Sequence, residues 1–420
     1  MTLTGLRHRV SSSLHALRGT WGFEFPPRLA PWSRLRDADG VEERLRLAAT
    51  RARRLGGTTI LGRARLLLFS AFWYVKATVD AVTQVIHHGG RARELTGSGR
   101  LRQLADALGL AHRWNYSPII YYRFRFWHPD VRPRALQFLQ VHELALLQME
   151  SIGDAPLGAI ANKAVFGEHC AEAKLPAVEV IARIRGDSEE WAQGEPTLPP
   201  HDLFVKPVFG EQGIGCELWN YDGEQWRIDG ERRDAGQLLE HLRALAKRDE
   251  ILVQPCLSNH PDVARVSAGS LSSFRVMTFV AEGANAARLM GVTLKVSRRG
   301  AAVDNIHAGG IACAVDPESG ILGAGVGNDP IAMHRIHPDT GHPLEGVQLA
   351  AHQDAIDLAL RAHDTLDVPW SVGWDIAATP EGPVLIEGNR LWSAYVYFGA
   401  HRAPMTSDFT QELLRRVQRS

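Results

Sequence analysis

The sequence predicts an α/β (α+β) protein in which two lobes enclose one cleft and a mostly helical region precedes them. Its 420 residues exceed the size at which a single hydrophobic core stops growing, so two or three structural units are expected. Residues 1–150 carry apolar residues three or four positions apart, which is the period of helices. After residue 150 the pattern changes to short β-branched runs, Gly and Pro turns and single helices.

The helical region is read from apolar periodicity and from the residues that interrupt it. Gly89 and Gly90 are expected to end the longest helix, because glycine is a poor helix former. The helices predicted in this region are 41–55, 60–87, 100–110 and 134–151.

The second part of the chain is read as two strand-rich lobes facing a cleft, the kind of place where small ligands bind. A first group of strands comes before a larger strand-rich unit that ends in a hairpin. The predicted strands are 202–208, 215–219, 225–228, 251–254, 273–280, 287–296, 310–315, 371–378 and 383–387. Helices are predicted at 235–247 and 350–366.

Composition excludes several classes of protein. Hydrophobic content of 45% and charged content of 22% are typical of folded globular domains and exclude disordered or collagen-like chains. The four cysteines are far apart and form no CxxC, so neither a zinc site nor a disulfide framework is indicated. No signal peptide is apparent, and the apolar run at 66–75 is half the length a bilayer requires.

The first hundred residues are basic, with 17 Lys and Arg against 7 Asp and Glu, although the whole chain has no net charge. An arginine-rich amphipathic segment of this kind suits an anionic membrane surface, nucleic acid or an acidic partner lobe. A helical bundle packed on the other lobes is the alternative.

The strongest local signal is the hairpin 372–389, VGWDIAATPEGPVLIEGN. If its turn holds Pro380, Glu381 and Gly382, then Asp375 lies opposite Glu387 and Asn389 projects from the same face. Two opposed carboxylates repel each other, so a positive charge is expected between them. Two carboxylates and a carboxamide suit Mg²⁺, which prefers oxygen ligands. A solvated hairpin with incidental acids is the alternative.

A second signal is the segment FVKPVFGEQGIG, residues 204–215. Its strand places Lys206 beside Gly210, Gly213 and Gly215, whose backbone amides can approach phosphate oxygens while the ammonium neutralises them. The sequence is not a Walker A motif, and a plain hairpin would look the same.

Three further segments offer candidate contacts. Residues 254–257 can turn backbone groups towards adenine, or can serve only as a hinge between lobes. Arg275 lies in an apolar strand, so it should meet a carboxylate or a phosphate. Asp304, Asn305 and His307 come before paired glycines where a substrate could approach the backbone, although His307 also fits an ordinary loop.

These pieces, in this order, resemble the ATP-grasp superfamily, and most closely the sugar-transfer-associated ATP-grasp family. The likeness covers residues 152–402 and is carried by NKAVFGEHCAEAKLPAV, VKPVFGEQGIG, LSNHPDV, SSFRVMTF, VDNIHAGGIACAVDPESG, HPDTGHPLEG and GWDIAATPEGPVLIEGN. The chain departs from the family pattern at Ser272, at Gln254 and in RLWSAYVYFGAH after Asn389. These departures bear on the acceptor and ribose contacts more than on ATP.

Periodicity and charge predict that residues 1–150 form a helical basic region. The resemblance implies an N-terminal lobe with the glycine loop at 151–257 and a C-terminal lobe with the metal hairpin at 258–420. It assigns the catalytic role to Arg275 and Lys206 and the metal to Asp375, Glu387 and Asn389. Substrate would meet Asp304, Asn305 and His307. The residues implied in ATP binding are Lys163, Lys206, Gly210, Gly213, Gly215, Gln254, Pro255, Cys256 and Leu257.

The function implied is that of a carboxylate–amine ligase that uses ATP and Mg²⁺, or Mn²⁺ in its place, through an acyl phosphate. It would act on small or sugar-linked substrates in polysaccharide or secondary-metabolite synthesis, in the cytoplasm or at the inner membrane face, without nucleic acid. A phosphotransferase of the kinase kind and a non-catalytic ATP-binding scaffold are the alternatives. No side-chain nucleophile is required, and the sequence has no GxSxG motif.

Overall fold

The computed structural model describes residues 40–55, 60–209, 213–301 and 303–419, and the side chains of residues 50–71 lie outside the description. Two compact units emerge. Described residues up to Leu147, together with Val417–Arg419, form the first unit, and Gln148–Arg416 form the second. Among the described residues, no helix combines the length and the apolar character that crossing a bilayer requires.

The first unit is helical, as the sequence predicts. Its helices are α1 (Val41–Leu55), α2 (Ile60–Thr96), α3 (Arg100–Trp114), α4 (Pro118–Arg123) and the start of α5 (Val141–Ile152), with a 3₁₀ turn at Arg132–Gln137.

The prediction that Gly89 and Gly90 end the long helix is wrong, because α2 continues through them to Thr96. The side chain of Gln103 on α3 donates to the Gly89 carbonyl over 3.0 Å. A Cβ atom at Gly89 would lie 3.2 Å from Gln103 Oε1. The glycine therefore allows α2 and α3 to approach closely rather than ending a helix.

The second unit contains two antiparallel sheets. The first has seven strands in the order β2-β1-β7-β3-β4-β5-β6. Its strands are β1 (Ala182–Arg185), β2 (Ser188–Trp191), β3 (Leu203–Pro207), β4 (Glu217–Tyr221), β5 (Trp226–Ile228), β6 (Glu231–Arg233) and β7 (Ile251–Pro255). Helix α6 (Lys163–Glu172) precedes this sheet. Helix α7 (Ala235–Ala246) begins with a capping box at Asp234 and packs on the sheet.

The second sheet has five strands in the order β10-β9-β8-β11-β12. These are β8 (Ser273–Phe279), β9 (Arg288–Val296), β10 (Ile311–Val315), β11 (Ser371–Thr379) and β12 (Gly382–Asn389). The short α8 (Pro261–Ala264) precedes the sheet, and α9 (His352–Thr365), α10 (Ala394–His401) and α11 (Ser407–Arg419) complete the chain.

Alternation along the strands divides each sheet into a core face and a cleft face. In the five-stranded sheet, Phe274, Val276, Trp374 and Ile376 are fully buried in the core that α9 covers. Helix α6 contributes Phe166 to the same core. Polar residues occupy the intervening positions and therefore share the opposite face. The predicted α/β class is confirmed, whereas the predicted domain boundaries remain predictions.

Segment 176–178 connects the parts of the second unit. The Leu385 amide donates to the Pro176 carbonyl over 2.9 Å, and the Val178 amide donates to the Leu385 carbonyl over 3.1 Å. This pairing covers the exposed edge of β12, an edge that would otherwise present unpaired amides. It also holds α6 beside the hairpin of β11 and β12.

Candidate active site between two sheets

The hairpin of β11 and β12 brings Asp375 opposite Glu387, as predicted, although the turn differs from the predicted one. Thr379 pairs with Gly382 rather than Pro383, so the turn is one residue shorter. A β-bulge between Asp375 and Ile376 then shifts the register back by one residue. Without that bulge the two carboxylates would not be directly paired.

The guanidinium of Arg275 supplies a positive charge next to the carboxylate of Asp375. Arg275 Nε donates to Asp375 Oδ1 over 2.6 Å and Nη2 donates to Oδ2 over 2.9 Å, a bidentate pair between neighbouring strands. Of the two partners predicted for Arg275, the structure therefore provides the carboxylate. Burial alone would raise the pKa of Asp375, but Arg275 and Lys295 hold that pKa well below its usual range.

Lys295 is a second buried cation in this cluster, and the sequence analysis did not identify it. Its Nζ atom lies 3.2 Å from Asp375 Oδ2 and 3.1 Å from Asp304 Oδ1. Burial opposes the charge, yet Asp304 and Asp375 raise the pKa of Lys295. The argument used for Arg275, a basic residue in an apolar strand, would have found Lys295 in LMGVTLKV.

Asp304 holds this cluster from the loop after β9. Its Oδ2 atom accepts from the Ser273 amide over 2.8 Å and from Ser273 Oγ over 2.5 Å. Of the predicted substrate residues, Asp304 is buried, Asn305 is half-buried and His307 is exposed. The carboxylate of Asp304 thus has internal partners, whereas Asn305 and His307 keep solvent-exposed surface.

Glu387 and Asn389 are more open than Asp375. Asn389 Nδ2 donates to the Gly373 carbonyl over 3.2 Å and to Glu387 Oε1 over 3.3 Å. The amide nitrogen is therefore engaged, and Asn389 Oδ1 is the group left to bind a ligand. Both side chains are half-buried.

Lys206 lies on the cleft face of the seven-stranded sheet. It pairs across the sheet with Leu252, while its neighbours Val205 and Val253 point into the core. Only 5% of Lys206 is exposed, and no described residue forms a hydrogen bond or an ion pair with its ammonium. Burial lowers the pKa of Lys206, and Glu387 offsets part of this effect. A buried ammonium without a partner among the described residues is costly, so this part of the structure favours an anionic ligand.

Lys163 approaches the same place from α6. Asn162 caps this helix, because its Oδ1 accepts from the amides of Ala164 and Val165, each over 3.0 Å. Lys163 is the first residue of the helix, and its charge acts on both Lys206 and Cys216. The two predicted phosphate lysines thus converge, together with Glu387.

The glycine loop follows β3, and Gly210 lies outside the described residues. Gly213 and Gly215 both have φ of +77°, a conformation that glycine adopts without strain. A Cβ atom on Gly213 would come 2.7 Å from Val303 Cγ2. Gly213 therefore packs closely against the segment that leads to Asp304.

Cys216 follows this loop and is a site residue that the sequence analysis missed. Burial raises the pKa of its thiol, while Lys163 and Lys206 act in the opposite direction. Its position after the third glycine of the loop was the only signal in the sequence.

The segment predicted to hold adenine ends β7. Gln254 is buried on the same face as Lys206, and its Nε2 donates to the Val178 carbonyl over 3.5 Å. The Cys256 amide donates to the Asp202 carbonyl over 3.0 Å. Pro255, Cys256 and Leu257 are half-buried. The contact with adenine remains a prediction for these four residues.

The donor atoms fit a hard divalent cation bound together with phosphate. Among the described residues, no three His, Cys, Asp or Glu side chains form a metal-sized cluster. A metal would therefore depend on Glu387, on Asn389 Oδ1 and on the lone pair that Asp375 Oδ1 keeps beside Arg275. So few protein oxygens suit Mg²⁺, which usually keeps water and phosphate ligands.

Comparison with known proteins gives one family match. The family model described as sugar-transfer associated ATP-grasp matches residues 155–400. No curated protein is similar enough to the chain to be counted as a relative.

Solved structures with distant likeness include the D-alanyl-alanine synthetase A of Vibrio cholerae, with 12% identity, 62% of this chain and 65% of that chain covered, and a TM-score of 0.35. An L-amino acid ligase from Bacillus licheniformis has 10% identity, 65% and 52% coverage, and a TM-score of 0.32. A RimK domain ATP-grasp protein from Sphaerobacter thermophilus has 14% identity, 63% and 78% coverage, and a TM-score of 0.31. The chain covers less than two thirds of the first two structures.

Proposed function

The chain belongs to the sugar-transfer associated ATP-grasp family, and from this premise we propose that it is an ATP-dependent carboxylate–amine ligase. One observation carries the proposal. Lys206 is buried without a described partner on one sheet, and the charge of Glu387 on the other sheet acts on it. A cation and a carboxylate placed across a cleft suit a nucleotide phosphate with its metal ion.

The proposed reaction transfers the terminal phosphoryl group of ATP to a substrate carboxylate, which yields ADP and an acyl phosphate. An amine then attacks the acyl carbon, and inorganic phosphate leaves. Lys206 and Lys163 would neutralise charge on the phosphates, which is the main catalytic requirement of such transfers. A bound Mg²⁺ would supply further neutralisation of phosphate oxygens.

Arg275 is proposed to contact the transferred phosphoryl group while its guanidinium remains hydrogen-bonded to Asp375. Its Nε and Nη2 atoms are engaged by the carboxylate, which fixes the plane of the guanidinium. An arginine carries five N–H donors, so Nη1 and one further proton remain for a phosphoryl oxygen. Lys295 and Asp304 would keep Asp375 in place during this contact.

The acceptor is proposed to bind near Asn305 and His307, the outward residues of the loop that Asp304 anchors. The glycine loop would cover the phosphates, because Gly213 already packs on Val303. The association of the family with sugar transfer supports a role in polysaccharide or secondary-metabolite synthesis, with sugar-linked substrates. We place this activity in the cytoplasm.

Hydroxylamine can test the reaction because it replaces the unknown amine. The protein is incubated with ATP, Mg²⁺, hydroxylamine and pools of carboxylates, and ADP and hydroxamate are measured together. A ligase gives both products in equal amounts and only when a carboxylate is present. A phosphotransferase would give ADP and a stable phosphorylated product without the amine. Binding of ATP without any turnover would instead support a scaffold.

The basic first hundred residues are proposed to contact an anionic membrane surface. The support is the arginine cluster Arg51, Arg53, Arg54, Arg63 and Arg65 in the sequence, whose side chains lie outside the described residues. Co-sedimentation with liposomes at low salt should show a preference for anionic lipid. Equal binding to neutral and anionic liposomes would contradict this contact.

A further inference from the structure

Helix α2 exposes a regular line of apolar side chains. Phe72, Val75, Val79, Val82 and Ile86 are exposed by 60%, 65%, 58%, 40% and 65%. Their spacing alternates between three and four residues, which is the period of a helix–helix seam. We call these five residues the Phe72–Ile86 stripe.

The stripe is separate from the face of α2 that packs within its own unit. Trp73, Ala77 and Ala81 are buried on that other face, and Trp73 Nε1 donates to the Ala111 carbonyl of α3 over 3.1 Å. With 3.6 residues per turn, the stripe occupies an arc of roughly 80°. An arc this narrow is typical of a coiled-coil seam rather than of a wide core face.

We propose that the Phe72–Ile86 stripe pairs with the same stripe of a second copy of this chain. The pair is antiparallel, with the two-fold axis passing between Val79 and Val82. Valines then meet at the centre, and Val75 faces Ile86 of the second copy. A surface that matches itself in this way is what a two-fold dimer requires.

Charge along α2 favours this orientation. The heptad continues from Ile86 to Arg93, which is exposed. Parallel pairing would place Arg93 against Arg93 of the second copy, and like charges at facing positions are unfavourable. Antiparallel pairing about this axis separates these two residues by about 37 Å along the helices, which is more than the length of the stripe.

Charge also favours a protein helix over a lipid surface as the occupant. Between Phe72 and Ile86 the only charged residues are Lys76 and Asp80, which form an ion pair with each other. The stripe therefore has a neutral border. Helices that lie on anionic membranes carry several Lys or Arg residues on their polar face.

The exposed area suits a reversible dimer. The five side chains together expose roughly 500 Å², so a symmetrical pair would bury about 1,000 Å² in total. This is the lower limit for a specific interface. The dimer is therefore expected to dissociate on dilution.

Sedimentation velocity of the full chain tests the dimer at protein concentrations from about 1 to about 100 µM, a range in which a weak dimer is in equilibrium with its monomer. The wild type should shift from monomer to dimer. Val79→Glu places two carboxylates beside the axis and should weaken dimerisation at least tenfold. His87→Glu adds the same charge at an exposed position outside the stripe and should dimerise like the wild type. Equal melting temperatures by circular dichroism would verify the fold of both variants.

Disulfide formation tests the orientation independently of any loss of function. A mixture of Val79→Cys and Val82→Cys chains should form a disulfide between the two variants under mild oxidation, because residue 79 faces residue 82 of the second copy. Phe72→Cys should not cross-link alone, whereas a parallel pair would cross-link it readily. His87→Cys is the background control for the four natural cysteines, none of which lies on α2.

Three results would overturn the proposal. A wild type that stays monomeric over the whole range would do so, as would a Val79→Glu variant that dimerises normally. Dimerisation that begins only after residues 1–39 are removed would show that this segment covers the stripe. Binding of a monomeric wild type to anionic vesicles, lost in Val79→Glu, would identify lipid as the occupant.

Discussion

Lys295 and Lys206 are each only 5% exposed, but the two lysine ammonium groups differ in their ion-pair partners. On the five-stranded sheet, Lys295 lies within 3.2 Å of Asp375 and 3.1 Å of Asp304. On the seven-stranded sheet, Lys206 forms no hydrogen bond or ion pair with any described residue. Burial is equal, so the difference lies in the partners.

This difference separates two kinds of buried cation. The fold itself neutralises Lys295 and Arg275, and their pKa values are raised by the carboxylates even though burial opposes this. The pKa of Lys206 is instead lowered by burial. We infer that Lys295 supports the site from within, whereas Lys206 is neutralised by ligand.

Substituting Lys295 should give the largest effect on stability. Lys295→Met leaves Asp304 and Asp375 buried with one cation fewer, and breaking a buried pair in this way costs about 3–5 kcal/mol. Urea denaturation should show that the free energy of unfolding of this variant is lower than that of the wild type by about this amount. Lys206→Met is the matched control, because the same change at equal burial breaks no ion pair or hydrogen bond with a described residue. Equal free energies of unfolding of the two variants would contradict the inference that Lys295 supports the fold and Lys206 does not.

Acid should destabilise the five-stranded sheet through His363 on α9. Burial lowers the pKa of His363 to about 4, and its Nδ1 atom lies 2.7 Å from Thr278 Oγ1 on β8. Between an unfolded pKa of about 6.5 and the folded value, only the unfolded chain binds this proton. Its contribution is therefore present above pH 6.5 and falls by up to about 3 kcal/mol as the pH drops to 4.

The measurement is the free energy of unfolding between pH 7 and pH 4. His363→Asn keeps a group that can accept from Thr278 but does not titrate, so its pH dependence should be smaller. A variant with the same slope as the wild type would assign the acid sensitivity to other groups.

Lys206→Met should reduce nucleotide binding with little effect on the fold. Losing one phosphate contact should weaken ATP at least tenfold, equal to about 1.4 kcal/mol. The free energy of unfolding without ligand should be unchanged or higher, because the substitution removes a buried charge that no described residue pairs with. Calorimetric titration with ATP measures the first effect, and denaturation measures the second. Unchanged affinity in a folded variant would remove Lys206 from the site.

The sequence predicted the fold well wherever local periodicity decides the structure. The strands from β3 to β5 and from β7 to β12, with α7 and α9, lie within a few residues of their predicted positions. The strands β1, β2 and β6 were missed. The polar sequences of β2 and β6 show little of the apolar alternation that identifies a strand, and β1 alternates over only four residues.

The site shows where local reasoning reaches its limit. Asp375 and Glu387 are paired only because a shorter turn and a bulge compensate for each other, and neither leaves a clear pattern in the sequence. The partner of Arg275 could not be identified, because it lies 100 residues away. Lys206 and Glu387 lie on different sheets of the second unit, so their approach depends on the whole fold.

The proposed reaction depends most on Glu387, which is proposed to bind a metal ion together with the nucleotide. Calorimetric titration of a non-hydrolysable ATP analogue, with and without Mg²⁺, tests it directly for the wild type and for Glu387→Gln. Mg²⁺ should strengthen binding to the wild type at least tenfold, about 1.4 kcal/mol, and should leave binding to the variant nearly unchanged. The same gain from Mg²⁺ in both proteins would contradict the metal site and the reaction proposed from it.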